Sequence, residues 1–122
     1  MRLNPDCIRD ILFAVEENTG YHSVMSIDEE NYVEFQQLSK YEYGEVAYHI
    51  HQCYLSGYFT DYSRMIDESY MIVDLTPKGH EFLANIRSES AWKEIMDKAS
   101  KIGSFSLPFI AEVAAQYFIS KI

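Results

Sequence analysis

The stretch YGEVAYHIHQCYLSGYFTDYSRMIDESYMIVDLTPKGHEFL, Tyr43 to Leu83, decides the fold. Residues Gly44 to Ser56 carry a helical period. Val46, Ala47, Ile50, Cys53 and Tyr54 share one stripe, which predicts the core face. Glu45, Tyr48, Gln52, Leu55 and Ser56 fall on the other side, and Gly57 is a natural helix terminator. Two runs rich in aromatic and branched residues follow, 57–64 and 69–75, with Ile66-Asp67-Glu68 as the turn between them. That pattern predicts a β-hairpin. Thr76-Pro77 then opens a helix, Thr as the cap and Pro at the first helical position, with Phe82, Leu83 and Ile86 as its core stripe.

Upstream, Asn4-Pro5 repeats the same start signal. Ile8, Ile11, Leu12 and Val15 predict a helix over 5–18 that ends at Asn18-Thr19-Gly20. Tyr32, Val33 and Phe35 suggest a strand around 31–37, with Ser26 to Glu30 as a turn or hairpin tip. Downstream, Trp92, Ile95, Met96 and Ala99 form a stripe out of phase with Phe82. The helix is therefore expected to bend or break near Ser88-Glu89-Ser90 and to end at Gly103. Ser106-Leu107-Pro108 starts a last helix carrying Ile110, Val113, Ala114 and Tyr117. The order defines an α+β class. Its core reads as winged helix-turn-helix-like: three to four helices and a small antiparallel sheet whose hairpin is the wing. With 122 residues the chain reads as one domain, 1–87 as core and 88–122 as a C-terminal helical extension.

Charge narrows the function. The formal net charge is -9, and it is concentrated. Glu16 to Asp74 holds 12 acidic side chains against two basic ones, Lys40 and Arg64; Leu75 to the end holds six basic against five acidic. Nucleic-acid affinity rests on Lys and Arg neutralising phosphates, and an acidic face opposes it. DNA is therefore disfavoured as a partner. No signal-peptide pattern and no apolar run long enough to span a bilayer is present, which places the expected setting in the cytoplasm, without a membrane role.

No motif assembles catalytic chemistry. His49 and His51, two apart on a helix, point about 200° from each other and cannot share one ion. His49 with Cys53 and Glu45 gives an incomplete set, so no metal site is expected. Cys7 and Cys53 lie at apolar helix positions and read as buried, reduced thiols. Glu16-Glu17, Asp28-Glu29-Glu30 and Asp67-Glu68 read as solvated acids, and no glycine-rich phosphate loop occurs. The expectation is a non-enzymatic protein with no cofactor.

The segments Asn4-Pro5-Asp6-Cys7-Ile8-Arg9-Asp10-Ile11-Leu12, Tyr48-His49-Ile50, Leu75 to Leu83 and Lys101-Ile102-Gly103-Ser104-Phe105-Ser106 resemble a family of small bacterial and phage-borne proteins classed as a domain of unknown function. The resemblance spans nearly the whole chain. It implies a Gram-positive bacterium or its phage as source, and it brings no assigned site residues. Leu75-Thr76-Pro77-Lys78-Gly79 followed by Phe82-Leu83 is also similar to the wing-to-helix junction of winged-helix regulators. Those regulators place Arg, Lys, Ser or Asn on the exposed recognition face, whereas this chain places Glu45, Tyr48, Gln52 and Leu55 there.

Two functions follow as expectations. The first is an acidic protein-interaction module of phage type that binds or inhibits a host nucleic-acid-handling protein. Its surface is expected at Glu45, Tyr48, Gln52, Leu55, Tyr58 and Tyr62, because Tyr offers contact area at low entropy cost. The alternative is a dimeric DNA-binding regulator, which requires the sparse Arg2, Arg9, Lys40, Arg64 and Lys78 to converge near the 44–56 helix. The last helix, through Phe109, Val113, Tyr117 and Phe118, is expected to close over the helix carrying Trp92 or to pair with its copy in a homodimer.

Overall fold

Asn4 begins the first helix as its sequence requires. Its side-chain carbonyl accepts the backbone N–H groups of Asp6 and Cys7, and Pro5 stands where no N–H is needed. The computed structural model describes residues 1–121. Helix α1 (Pro5–Asn18) buries Cys7, Ile8, Ile11, Leu12, Ala14 and Val15. Arg9 does not lie on a free polar face. Its Nε donates to the Ile86 carbonyl at 3.0 Å and its Nη2 to that of Arg87 at 2.7 Å, so it fills carbonyls that a helix end leaves open.

The strand expected at 31–37 is absent. Strand β1 is Met25–Ile27, with Met25 and Ile27 buried and Ser26 exposed. Three residues give too short an alternation to stand out in sequence. Asp28 ends it: its carboxylate accepts from the backbones of Glu30 and Asn31, and Asn31 returns a bond to the Ser26 carbonyl. This Asx-type turn directs the chain into a 3₁₀ turn at Tyr32–Glu34. The aromatic residues that suggested a strand serve there as half-buried covers, and Leu38 beyond them is fully buried.

Helix α2 is Tyr43–Leu55. It ends in a Schellman turn: Tyr58 N–H donates to the Cys53 carbonyl and Gly57 N–H to that of Tyr54, with Gly57 at φ 79°. Strands β2 (Tyr62–Arg64) and β3 (Tyr70–Ile72) form the hairpin, shorter than the runs that announced it. Phe59 and Leu75 add one further bridge. The sheet is antiparallel in the order β1-β3-β2, with Met25 opposite Ile72 and Tyr62 opposite Ile72 on the other edge. Helices α3 (Pro77–Ile86), α4 (Glu89–Ile102) and α5 (Leu107–Ser120) complete an α+β architecture with a small sheet. Ser88 caps α4 by accepting from Ala91 N–H, which makes the expected break at Ser88-Glu89-Ser90 a clean restart. Buried residues from Cys7 in α1 to Ala114 in α5 form one contiguous apolar cluster.

The α2–α3 junction fixes how these parts meet. Thr76 N–H donates to the Tyr58 carbonyl at 2.9 Å, Thr76 Oγ1 donates to the Gly57 carbonyl at 2.6 Å, and the same oxygen accepts from Gly79 N–H. The first turn of α3 thus lies on the last turn of α2. A Cβ at position 79 would stand 2.5 Å from the Tyr58 carbonyl oxygen, which belongs to backbone that cannot swing away. Gly79→Ala is expected to cost about 2–3 kcal/mol through this overlap. Gly44→Ala, where a Cβ meets nothing within 4 Å, should gain about 0.5 kcal/mol by helix propensity. Urea unfolding of both variants checks the pair, and equal midpoints would contradict the junction.

Candidate functional site

Helix α2 is oriented by its buried stripe, and that stripe is Val46, His49, Ile50 and Cys53. The sequence reading placed Ala47 and Tyr54 in it and did not include His49. His49 is fully buried instead. Its Nε2 accepts the Asn4 backbone N–H at 2.7 Å, so Nδ1 carries the proton and donates to the Glu45 carbonyl at 2.7 Å. This neutral imidazole ties the start of α1 to α2. With both nitrogens engaged, neither is free for a metal ion. Among the described residues no cluster of three or more His, Cys, Asp or Glu side chains could hold one.

The rotation brings Tyr54 to the surface, 42% exposed, beside the hairpin. Its ring stacks on Tyr62 at 4.7 Å, and Tyr62 stacks on Tyr70 at 5.5 Å. His51 joins the row, its ring 5.9 Å from Tyr62 and its Nδ1 3.3 Å from the Tyr62 hydroxyl. Leu55 is 62% exposed at the end of the same helix. Tyr48, Gln52 and Glu45 are half-buried along its far side. Tyr58 is a correction. It is 2% exposed, stacked on Phe82 at 5.1 Å inside the α2–α3 junction, and presents no surface. The Schellman turn at Gly57 reverses the chain and carries Tyr58 inward. His51 and Tyr54 are the face residues that sequence reasoning missed. Tyr54 lies about 80° from Val46 on the wheel, an edge position that the pattern alone already offered.

At the other end of α2 a groove of about 540 Å³ is lined by Tyr32, Tyr43, Glu29, Glu42 and Glu68. Both rings are held in place: Tyr32 donates its hydroxyl proton to the Tyr41 carbonyl and Tyr43 to the Glu68 carbonyl. The nearby basic groups do not converge on this face. Arg64 pairs with Glu68 at 3.6 Å and Lys40 with Asp10 at 3.1 Å, while Arg9 is committed to the α3–α4 junction and Glu89. Lys78 lies at the C-terminal end of α2 with its ammonium 5.8 Å from the Tyr58 ring centre.

Helix α5 closes over α4 and α3 through Leu107, Ile110 and Ala114. Of the residues expected to pair with a second copy, Phe109 and Val113 line a groove against α4, Tyr117 is half-buried beside Lys98 and Lys121, and Phe118 is exposed.

Burial argues against reactive thiols. Burial, then the charges of Glu45 and Asp10, pushes the Cys7 thiol up to about 12, and burial, followed by the neighbouring Cys7, drives Cys53 well above its usual value. Burial, followed by Tyr70, pushes the Tyr62 hydroxyl up to about 12.

These features define an acidic α+β protein with an exposed aromatic row beside α2 and a tyrosine groove edged by carboxylates. The chain belongs to the family described as "Hypothetical protein (DUF2513)", which matches residues 2–106 and so stops at the residue before α5. No curated protein and no solved structure matches it. Among the described residues no helix is long and apolar enough to cross a membrane.

Both cysteines should resist a thiol reagent at about pH 8 in the folded protein and react at once in denaturant. An unfolded Cys7 thiol ionises near 9.0, whereas the folded one holds its proton until about 12. Stability from this group is therefore complete below 9.0 and falls as pH rises through that window. Urea titrations across it, compared with Cys7→Ala, measure the slope, and identical slopes in the two proteins would rule this origin out.

Proposed function

We propose that this protein is a non-enzymatic interaction module with a winged-helix-like core, which binds a protein partner through the face made by α2 and the β2–β3 hairpin. The element order α1-β1-α2-β2-β3 and the strand order β1-β3-β2 support the winged-helix reading, with α2 in the recognition position. The observation that carries the function is the composition of that face. Leu55, Tyr54, His51 and Tyr62 give it apolar and aromatic anchors toward one end of α2, and Glu29, Glu42 and Glu68 around the Tyr32–Tyr43 groove give it negative charge at the other. Aromatic anchors within a polar rim are the usual anatomy of a protein interface.

The complementary partner presents a basic surface with Arg or Lys side chains. The Tyr32–Tyr43 groove, with three glutamates at its edge, suits such a cation stacked on a ring. A protein that itself handles nucleic acid has such a surface, and a bacterial cell or its phage is the setting we infer. The rival reading, a dimeric DNA-binding regulator, draws on the element order alone. The pairing of Arg9, Lys40 and Arg64 with acids of their own chain weighs against it.

Fluorescence anisotropy with duplex DNA at about 50 and 150 mM salt separates the two, because phosphate contacts must weaken steeply between those salts. The expected result is no binding at either. Salt-sensitive binding would overturn the interaction reading. A partner captured from bacterial lysate should be lost by Tyr54→Ala with Leu55→Asp, at an unchanged melting temperature. Capture that persists in this variant would mean the face is wrong.

A further inference from the structure

Helices α4 and α5 form a groove of about 590 Å³ that the rest of the chain leaves open. One wall is Lys98, Lys101 and Ile102 of α4, and the other is Phe109, Glu112 and Val113 of α5. Ile102 is 68% exposed, and Phe105 in the α4–α5 loop, 42% exposed, adds to the apolar surface at this end of the helix pair. Among the described residues none forms an ion pair with Lys98, Lys101 or Glu112.

We propose that a second copy of this chain occupies the groove, α5 packing across the partner copy's α4–α5 pair to make a two-fold four-helix interface. Two arguments select this occupant. The first is self-complementarity. A two-fold contact sets a patch against itself, so it needs both charges within the one patch. Basic groups stand on the α4 wall and Glu112 on the α5 wall, so the rotation brings each Glu112 toward the partner copy's Lys98 and Lys101, with Ile102, Phe109 and Val113 enclosed between. The second is long-range repulsion. Each copy carries a charge of -9, and the stretch from Glu16 to Asp74, with 12 acidic and two basic side chains, accounts for its negative excess. Two copies that meet through that region oppose each other, whereas the segment from Leu75 on, with six basic and five acidic side chains, does not. The packing of helix pairs in this way is ordinary four-helix geometry. The inference stands apart from the reading of the α2 face, but it has a result for it. Both acidic faces remain free in the dimer, so a single particle offers two of them, and binding to a repeated or paired target gains by multivalency.

The full-length chain is tested by sedimentation equilibrium at about 100 µM, a concentration that populates any dimer of micromolar affinity. The expected mass is twice that of the chain. Ile102→Asp, Glu112→Lys, and Lys98→Glu with Lys101→Glu all alter exposed side chains, so circular dichroism should show an unchanged fold. Each is expected to weaken the dimer by about 100-fold or more. The triple exchange Lys98→Glu, Lys101→Glu and Glu112→Lys restores opposite charges across the two-fold and should recover dimerisation. A wild-type monomer throughout the range overturns the proposal, as does a dimer indifferent to these exchanges. A triple variant as monomeric as Glu112→Lys overturns it too, because the paired charges are what select a second copy over another partner.

Discussion

Everything downstream of α2 is placed by one close approach, the seat of Gly79 on the Tyr58 carbonyl. Hydrogen bonds from Thr76 to Gly57 and Tyr58 hold the two backbones together, and the missing side chain at 79 permits it. Once α3 is seated there, Tyr58 is sealed against Phe82, and the strands between the two helices must leave and return within a short span. That return sets β2 and β3 beside α2 and brings Tyr62 within stacking distance of Tyr54. The exposed aromatic row is thus a result of backbone packing two layers beneath it. A residue that touches no partner decides the spacing of residues that could.

Helix ends were legible in the sequence because each is a local event. Asn4-Pro5, Thr76-Pro77 and Gly103 act through bonds to groups within a few residues, and all three terminate their helices where the local signal puts them. The hairpin was legible for a similar reason, its turn lying between two apolar runs. What sequence could not supply was rotation. Hydrophobicity assigned Tyr54 to the core stripe of α2 and left His49 out of it, yet in the fold His49 is buried and Tyr54 exposed. His49 is acceptable inside because Asn4 and Glu45 satisfy both nitrogens, and Asn4 lies 45 residues away. Tyr58 escaped for a related reason: a Schellman turn changes which side of the chain faces inward, and a helical wheel stops before it. Strand β1 was lost to length, since three residues carry too little period against the louder aromatic signal of the neighbouring turn.

Charge and shape divide the surface into two unlike regions. Around α2 and the hairpin, basic side chains are consumed by their own acids, so the excess negative charge is presented without relief. Around α4 and α5 the signs are mixed and apolar side chains stand between them. The proposed partner-binding face lies in the first region and the proposed contact between copies in the second. The family match, residues 2–106, takes in all of the first region and the α4 wall of the second, but not α5.

The bonds that α1 sends across the chain bear on the order in which it is made. Trp92 Nε1 donates to Asp6, 86 residues distant, and Arg9 reaches Ile86, Arg87 and Glu89. During synthesis α1 emerges first, amphipathic and without the groups that complete it. Its apolar face packs chiefly on α2, but its polar side is completed only when the α3–α4 junction and Trp92 are in place. Loop closure over such a span is slow relative to local helix formation. The apolar face of α1 therefore finds α2 early, whereas Asp6 and Arg9 on its polar side wait for partners some eighty residues on.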